Sequence, residues 1–141
     1  MSYYHTRKTR KRYSNYPKPA DCQFCNYQDR EEPIVAETAH AYITPNRTFY
    51  DHWELRDVVD HLLVVPKRHV ASLSQLDKVE RAEIMDMLAE YEGKGYEVYA
   101  RSPGSISRSV AHQHTHLIKT SGKARRGMLY LNKPYILWRF K

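Results

Sequence analysis

Apolar and polar positions change period along this chain, and the changes mark out its elements. Ala39 to Thr44, His61 to Val65, Tyr96 to Ala100 and Ala111 to Ile118 are short runs rich in β-branched, aromatic and aliphatic residues, which predicts strands. Leu129 to Leu131 and Tyr135 to Phe140 are weaker strand candidates. Between them the period switches. Asp77 followed by Glu80 forms a capping-box pattern, with Asp in place of Ser or Thr, and opens a helix running to about Glu92, where Gly93 and Gly95 stop it. The apolar set Val79, Ala82, Met85, Leu88 and Tyr91, widened by Ile84 and Met87, predicts one helix face packed on a sheet. With no internal repeat, the pattern predicts an α+β fold with a mainly antiparallel sheet and one long helix.

Composition narrows this to one folded unit. A chain of 141 residues with 41% hydrophobic content can bury a core without staples. Residues 21–141 are expected to form that domain, behind an arm of residues 1–20 closed by Pro17 and Pro19. The arm holds Arg7, Lys8, Arg10, Lys11, Arg12 and Lys18 with no acid, so most of the net charge of +7 sits there. Its expected state is a short disordered basic arm. Two roles are open to it: a solubilising tail, or a tyrosine-interleaved segment that holds a polyanion such as nucleic acid. No run approaches the roughly 18 apolar residues of a membrane span. The only cysteines, Cys22 and Cys25, do not make the disulfide framework of a secreted domain, which points to a reducing, cytoplasmic setting. Taken alone, this pair is open to metal binding, redox chemistry or packing.

The densest chemistry lies in Ser109-Val110-Ala111-His112-Gln113-His114-Thr115-His116-Leu117-Ile118, where three of the eight histidines stand two residues apart. On a strand all three would project to one side, roughly 7 Å between successive ones. Imidazole can be nucleophile, general acid or base, metal ligand or phosphate donor near neutral pH.

This run, a histidine triad followed by two apolar residues, resembles the signature of the histidine triad (HIT) superfamily. His61-Leu62-Leu63-Val64-Val65-Pro66-Lys67-Arg68-His69 resembles its second block, and Cys22-x-x-Cys25 the entry of many members. The resemblance covers about residues 21–120 and leaves 121–141 as an extra C-terminal strand region. It implies a HIT-like fold and a nucleotide hydrolase or nucleotidyl transferase acting at an α-phosphate. By the same resemblance, His114 is the nucleophile that forms a nucleotidyl-histidine intermediate. His116 contacts non-bridging oxygens, Ser109 donates to a phosphate or leaving-group oxygen, and Asn46 lies near the sugar. His112 belongs both to the triad and to an implied structural zinc set of Cys22, Cys25, His69 and His112. No organic cofactor is implied, and a homodimer is compatible with the family.

Several positions depart from the family pattern. Arg108 stands where hydrolases of the family often have Gln, and a guanidinium there could equally grip an additional phosphate or point into solvent. Gln113 and Thr115 are polar where the family is apolar, the segment from Thr48 to Asp60 is longer than usual, and Asp60 replaces the common Gly before His61. His61 itself reads equally as a satisfied strand residue or a functional one. Arg108, Lys119, Arg125 and Arg126 flank the triad and favour a dinucleoside polyphosphate substrate over a nucleoside phosphoramidate. The alternatives are removal of adenylate from nucleic-acid ends, a nucleotide or RNA-binding module with an inert triad, and a catalytic metal held jointly by the three histidines.

Overall fold

The computed structural model describes residues 4–16, 20–29, 31–131 and 136–140. Its framework is an antiparallel sheet of β1 (Ala36–Glu37), β2 (Ala41–Pro45), β3 (His52–Trp53), β4 (Arg56–Pro66), β5 (Glu97–Ala100) and β6 (Thr115–Ala124). The path across it is β1-β2-β4-β6-β5, with β3 pairing onto the start of β4. The central strand β4 carries an unbroken buried run from His61 to Pro66, as expected of a strand covered on both faces. One face, with Leu62, Val64 and Leu117, packs on the helix α2 (Lys78–Gly93). The opposite face carries Leu63 across from His116, and His61 across from Ile118. Tyr42, Leu63 and Val65 are covered there by Phe24.

The capping box that opens α2 forms as expected: Asp77 accepts from the Glu80 backbone N–H and Glu80 returns the bond to the Asp77 N–H, at 2.9 and 2.8 Å. The buried face differs from the one expected. Val79 and Met85 are 56% and 62% exposed, and the residues turned inward are Glu80, Ile84, Met87 and Tyr91. A three-residue repeat drifts around a helix of 3.6 residues per turn, whereas spacings of four, three and four stay on one stripe. Glu80 is tolerated in that stripe because Arg68 donates to both of its carboxylate oxygens, at 2.8 and 2.6 Å.

The triad is not all strand, because β6 begins only at Thr115, and His112 and His114 lie in the irregular stretch before it. Val64 opposite Thr115 is the last paired register. Beyond it the Pro66 carbonyl accepts from the His112 side chain, 2.8 Å away, in place of a backbone partner. The C-terminal strand region forms β7 (Gly127–Leu131) and β8 (Ile136–Phe140), which pair with each other as a separate two-stranded sheet. Arg125 and Arg139 anchor it, both donating to Asp57. Tyr135, the expected first residue of the last strand, lies outside the described residues, as do Pro17, Lys18 and Pro19.

The basic segment is ordered where it is described. Arg7–Ser14 form a helix, α1, with Thr6 as N-cap. Arg and Lys are good helix formers and no Pro or Gly interrupts this stretch. A free eight-residue helix is marginal, so its docking decides. Tyr4 stacks on Tyr50 at 4.8 Å and tilts onto Trp53 at the same distance. The Asp51 carboxylate accepts from the Thr6 N–H at 2.5 Å and the Thr9 hydroxyl at 2.9 Å, and the Asp51 N–H donates to the Tyr4 carbonyl at 2.8 Å. The docking partners come from the long segment between Thr48 and Asp60, which folds into the β3–β4 hairpin. Its two-residue turn has φ of 46° at Glu54 and 63° at Leu55, the left-handed pair that matches the twist of a hairpin and is strained for residues other than Gly or Asn. Among the described residues no helix is long and apolar enough to cross a membrane.

Candidate functional site

Two backbone contacts and one contact between rings fix the protonation pattern of His114 and His116. His114 places Nδ1 at 2.8 Å from the His112 carbonyl, which accepts its proton, so Nε2 carries the free lone pair. His61 takes the Tyr50 backbone N–H on Nδ1 at 3.0 Å, so neutral His61 carries its proton on Nε2. That Nε2 lies 2.9 Å from Nδ1 of His116. His116 must therefore accept on Nδ1 and carry its own proton on Nε2, a buried donor with no protein partner among the described residues. One ring thus offers a lone pair and its neighbour an N–H, with 5.2 Å between ring centroids.

The surroundings hold these rings neutral. Burial pushes His114 down to about 4, against the opposing bond to the His112 carbonyl. Burial likewise takes His61 to about 3 and His116 well below the ordinary histidine value, and each is lowered further by its basic neighbours. One of those neighbours is Arg101 at the end of β5, which donates to the Tyr50 hydroxyl at 2.7 Å. Tyr50 stacks on His116 at 5.4 Å, and Phe24 tilts onto His114 at 5.2 Å. Histidines kept neutral at pH 7 can act as nucleophile and hydrogen-bond donor without first losing a proton.

Beside the triad, Cys22, Cys25, His69 and His112 bring their ligand atoms within 4.8 Å of one another. Because His112 Nε2 donates to Pro66, its Nδ1 lone pair faces the thiols, 3.4 Å from Sγ of Cys22 and 3.6 Å from Sγ of Cys25. His69 Nδ1 lies 3.2 Å from Sγ of Cys25. Tetrahedral zinc, with bonds of about 2.1 and 2.3 Å, sets its ligand atoms about 3.4 to 3.8 Å apart. The donor set fits such an ion, the three distances given lie near those spacings, and the tautomer of His112 is the one a metal requires.

The triad opens into a cavity of about 1240 Å³. Ser109 and Asn46 line it, as does His69. The Asn46 amide also packs on His61, with nitrogen 3.1 Å from Nε2. Arg108 is not among its lining residues. Its guanidinium donates to the carbonyls of Val110, Ala71 and Ala111 at 3.1, 2.8 and 2.8 Å, and to the Gln113 side chain at 3.2 Å. It braces the loop before the triad, which corrects the expectation that it grips phosphate. Gln113 and Thr115 are buried: the Gln113 side chain accepts from Arg108, and Thr115 lies opposite Val64 of the apolar core. Lys119, Arg125 and Arg126 also lie outside the cavity lining. The cations that do line it include Arg101 and three from α1: Arg7, Arg10 and Lys11. His5, buried against Tyr50 with ring centroids 5.3 Å apart, lines it as well.

The sequence reading missed Arg101, Tyr50, His5 and α1. Only one of them left a local signal, the Thr6 cap followed by an unbroken run of helix formers.

Comparison with known proteins agrees with this architecture. Residues 58–123 match the family described as the HIT domain. A HIT family hydrolase from Clostridium thermocellum superposes with a TM-score of 0.54 at 20% identity, over 77% of this chain and 98% of that one. A hypothetical protein from Leishmania major gives 0.58 at 25% identity, over 82% and 87%. A histidine triad nucleotide-binding protein from Candida albicans gives 0.57 at 20%, over 80% and 85%. No curated protein sequence matches the chain. The matched segment contains the second block, the long helix and the whole triad, and with the shared fold it identifies residues 58–123 as a HIT domain.

Proposed function

We propose that the protein is a nucleotide hydrolase or nucleotidyl transferase that cleaves at the α-phosphate of a nucleoside phosphoanhydride such as a dinucleoside polyphosphate. The observation that carries this reading is the tautomer of His114, whose Nδ1–H is tied to the His112 carbonyl while Nε2 faces the cavity chemistry unprotonated. In the first step Nε2 attacks the α-phosphorus, a P–N bond forms, and the P–O bond to the leaving group breaks with its electron pair going to that oxygen. His116 Nε2–H donates to a non-bridging oxygen as charge gathers there, and the Ser109 hydroxyl donates to a phosphate or leaving-group oxygen. In the second step water adds to phosphorus, the P–N bond breaks back to His114, and the nucleoside monophosphate leaves with release of a proton. With another acceptor in place of water the same intermediate gives transfer.

Cys22, Cys25, His69 and His112 would hold a structural zinc ion. When bound, that ion ties the segment around Cys22 to the loop before the triad and takes no part in bond cleavage. The orientation of His112, which leaves its carbonyl to His114 and its Nδ1 to the thiol pair, supports this pairing of roles.

The test is intact mass after rapid, acid-free quench with diadenosine tetraphosphate, with released nucleotides assayed in parallel. An adenylyl adduct and nucleotide release, both absent in a folded His114→Ala variant, are expected. Binding without adduct or turnover would instead mean a nucleotide-binding module with an inert triad.

A further inference from the structure

The mechanism above uses the histidine floor of the cavity and leaves its α1 wall unexplained. Arg7, Arg10, Lys11, Tyr13 and Ser14 line the cavity, and at 100° per residue they fall on one side of the helix. Lys8 and Arg12, on the remaining surface of the same helix, do not line it. α1 contributes no fully buried residue to a core, so packing alone does not account for its position. Among the described lining residues the only carboxylate is Asp21, against Arg7, Arg10, Lys11, Arg47 and Arg101. The cavity of about 1240 Å³ also exceeds the roughly 300–1,000 Å³ that holds a single small ligand. Its electrostatics and size suit an anion that continues past one phosphate.

We infer that α1 is a leaving-group subsite, in which Arg7, Arg10 and Lys11 hold the phosphates of a polyphosphate chain beyond the α-phosphate that faces His114. This rests on the hydrolase reading for the bond that is cut. A single-stranded nucleic acid is the competing occupant. The three cations span about 6 Å of helix axis at 1.5 Å per residue. That covers about two nucleotides at 3.4 Å each, whereas strand-binding grooves track about 4 to 16 nucleotides. A compact polyphosphate fits the length better.

The experiment measures Kd by calorimetry for adenosine 5′-tetraphosphate and adenosine 5′-monophosphate, using the full chain. The wild type is compared with the triple variant Arg7→Gln, Arg10→Gln, Lys11→Gln and with the double variant Lys8→Gln, Arg12→Gln. Gln keeps the helix propensity of Arg and Lys, and a shared melting curve checks the fold. A charge-assisted contact changes affinity roughly tenfold, so the preference for tetraphosphate should fall about 100-fold or more in the triple variant. In the double variant it should stay within a few-fold of wild type. An equal preference in wild type and triple variant would overturn the inference, and so would an equal fall in the double variant, which would mark a general charge effect. A larger loss for a 5′-adenylylated single strand than for tetraphosphate would assign α1 to nucleic acid instead. Turnover of diadenosine tetraphosphate, followed in parallel, separates the two claims. Tetraphosphate preference without turnover keeps the subsite and removes the hydrolase, and turnover without that preference does the reverse.

Discussion

Replacing Asp51 with alanine tests whether α1 is part of the cavity wall by construction. Its carboxylate accepts from the Thr6 N–H and the Thr9 hydroxyl, at the positive end of a helix whose own cap bond to Thr6 is long at 3.5 Å. Asp51 therefore caps α1 from a different element. Each charge-assisted bond at a half-buried site contributes about 1 kcal/mol net, so Asp51→Ala should cost the docked helix about 2 kcal/mol. That is roughly a 30-fold shift toward the undocked state. Once undocked, eight residues do not hold a helix in water. Amide hydrogen exchange reads this locally: protection over residues 10 to 14 should fall about 30-fold, while amides of β4 and β6 such as that of Leu117 keep theirs. Asp51→Asn, which retains one acceptor oxygen, should fall in between. Unaltered protection of α1 in Asp51→Ala would refute the reasoning and assign the docking to the Tyr4 stack on Tyr50 and Trp53.

Purified protein should contain close to one equivalent of zinc by elemental mass spectrometry; Cys22→Ser with Cys25→Ser should lose it and melt at lower temperature, and equal metal content in both would count against the site. Ile84→Ala, at a buried position of α2, should cost about 2–4 kcal/mol in urea unfolding, whereas Met85→Ala should stay within about 0.5 kcal/mol, and similar losses would mean the helix face is misassigned. Burial holds His5 near 4 and His61 near 3, below the unfolded value of about 6.5, so below that pH the unfolded chain binds protons that the folded one does not. Stability is therefore fully present above pH 6.5 and falls as pH drops toward 4 and 3. Each ring contributes about 2 kcal/mol of loss at pH 5, which unfolding curves at pH 7 and 5 check. Truncation of residues 1–20 should lower the melting temperature as well as any activity, because it uncovers Tyr50 and Trp53; an unchanged melting temperature would mean the segment is not docked.

The local signals in the sequence were strong where one element suffices to state them. Asp77 and Glu80 announce the start of α2 because a capping box is satisfied within four residues. The continuous apolar run from Leu62 to Val65 announces a buried strand, and the spacing of His112, His114 and His116 announces a reactive surface. The buried face of α2 was less legible, because seven apolar residues cover more than half of the helix and only the sheet decides which of them it covers.

What the sequence by itself determined was the kind of elements, the α+β class and the identity of the triad, since these follow from backbone period and residue chemistry over short spans. Tertiary structure decided the rest. The proton on His116 depends on a Tyr50 amide acting through His61, and Arg108 is withdrawn from the cavity by carbonyls of Ala71, Val110 and Ala111. The same holds for the charged N-terminal segment. Its sequence is compatible with a free tail, and it becomes a wall of the site only because the β3–β4 hairpin supplies Tyr50, Asp51 and Trp53 more than 40 residues away. Tautomers, guanidinium partners and docking are set by groups brought together across the sheet, and no period along the chain encodes them.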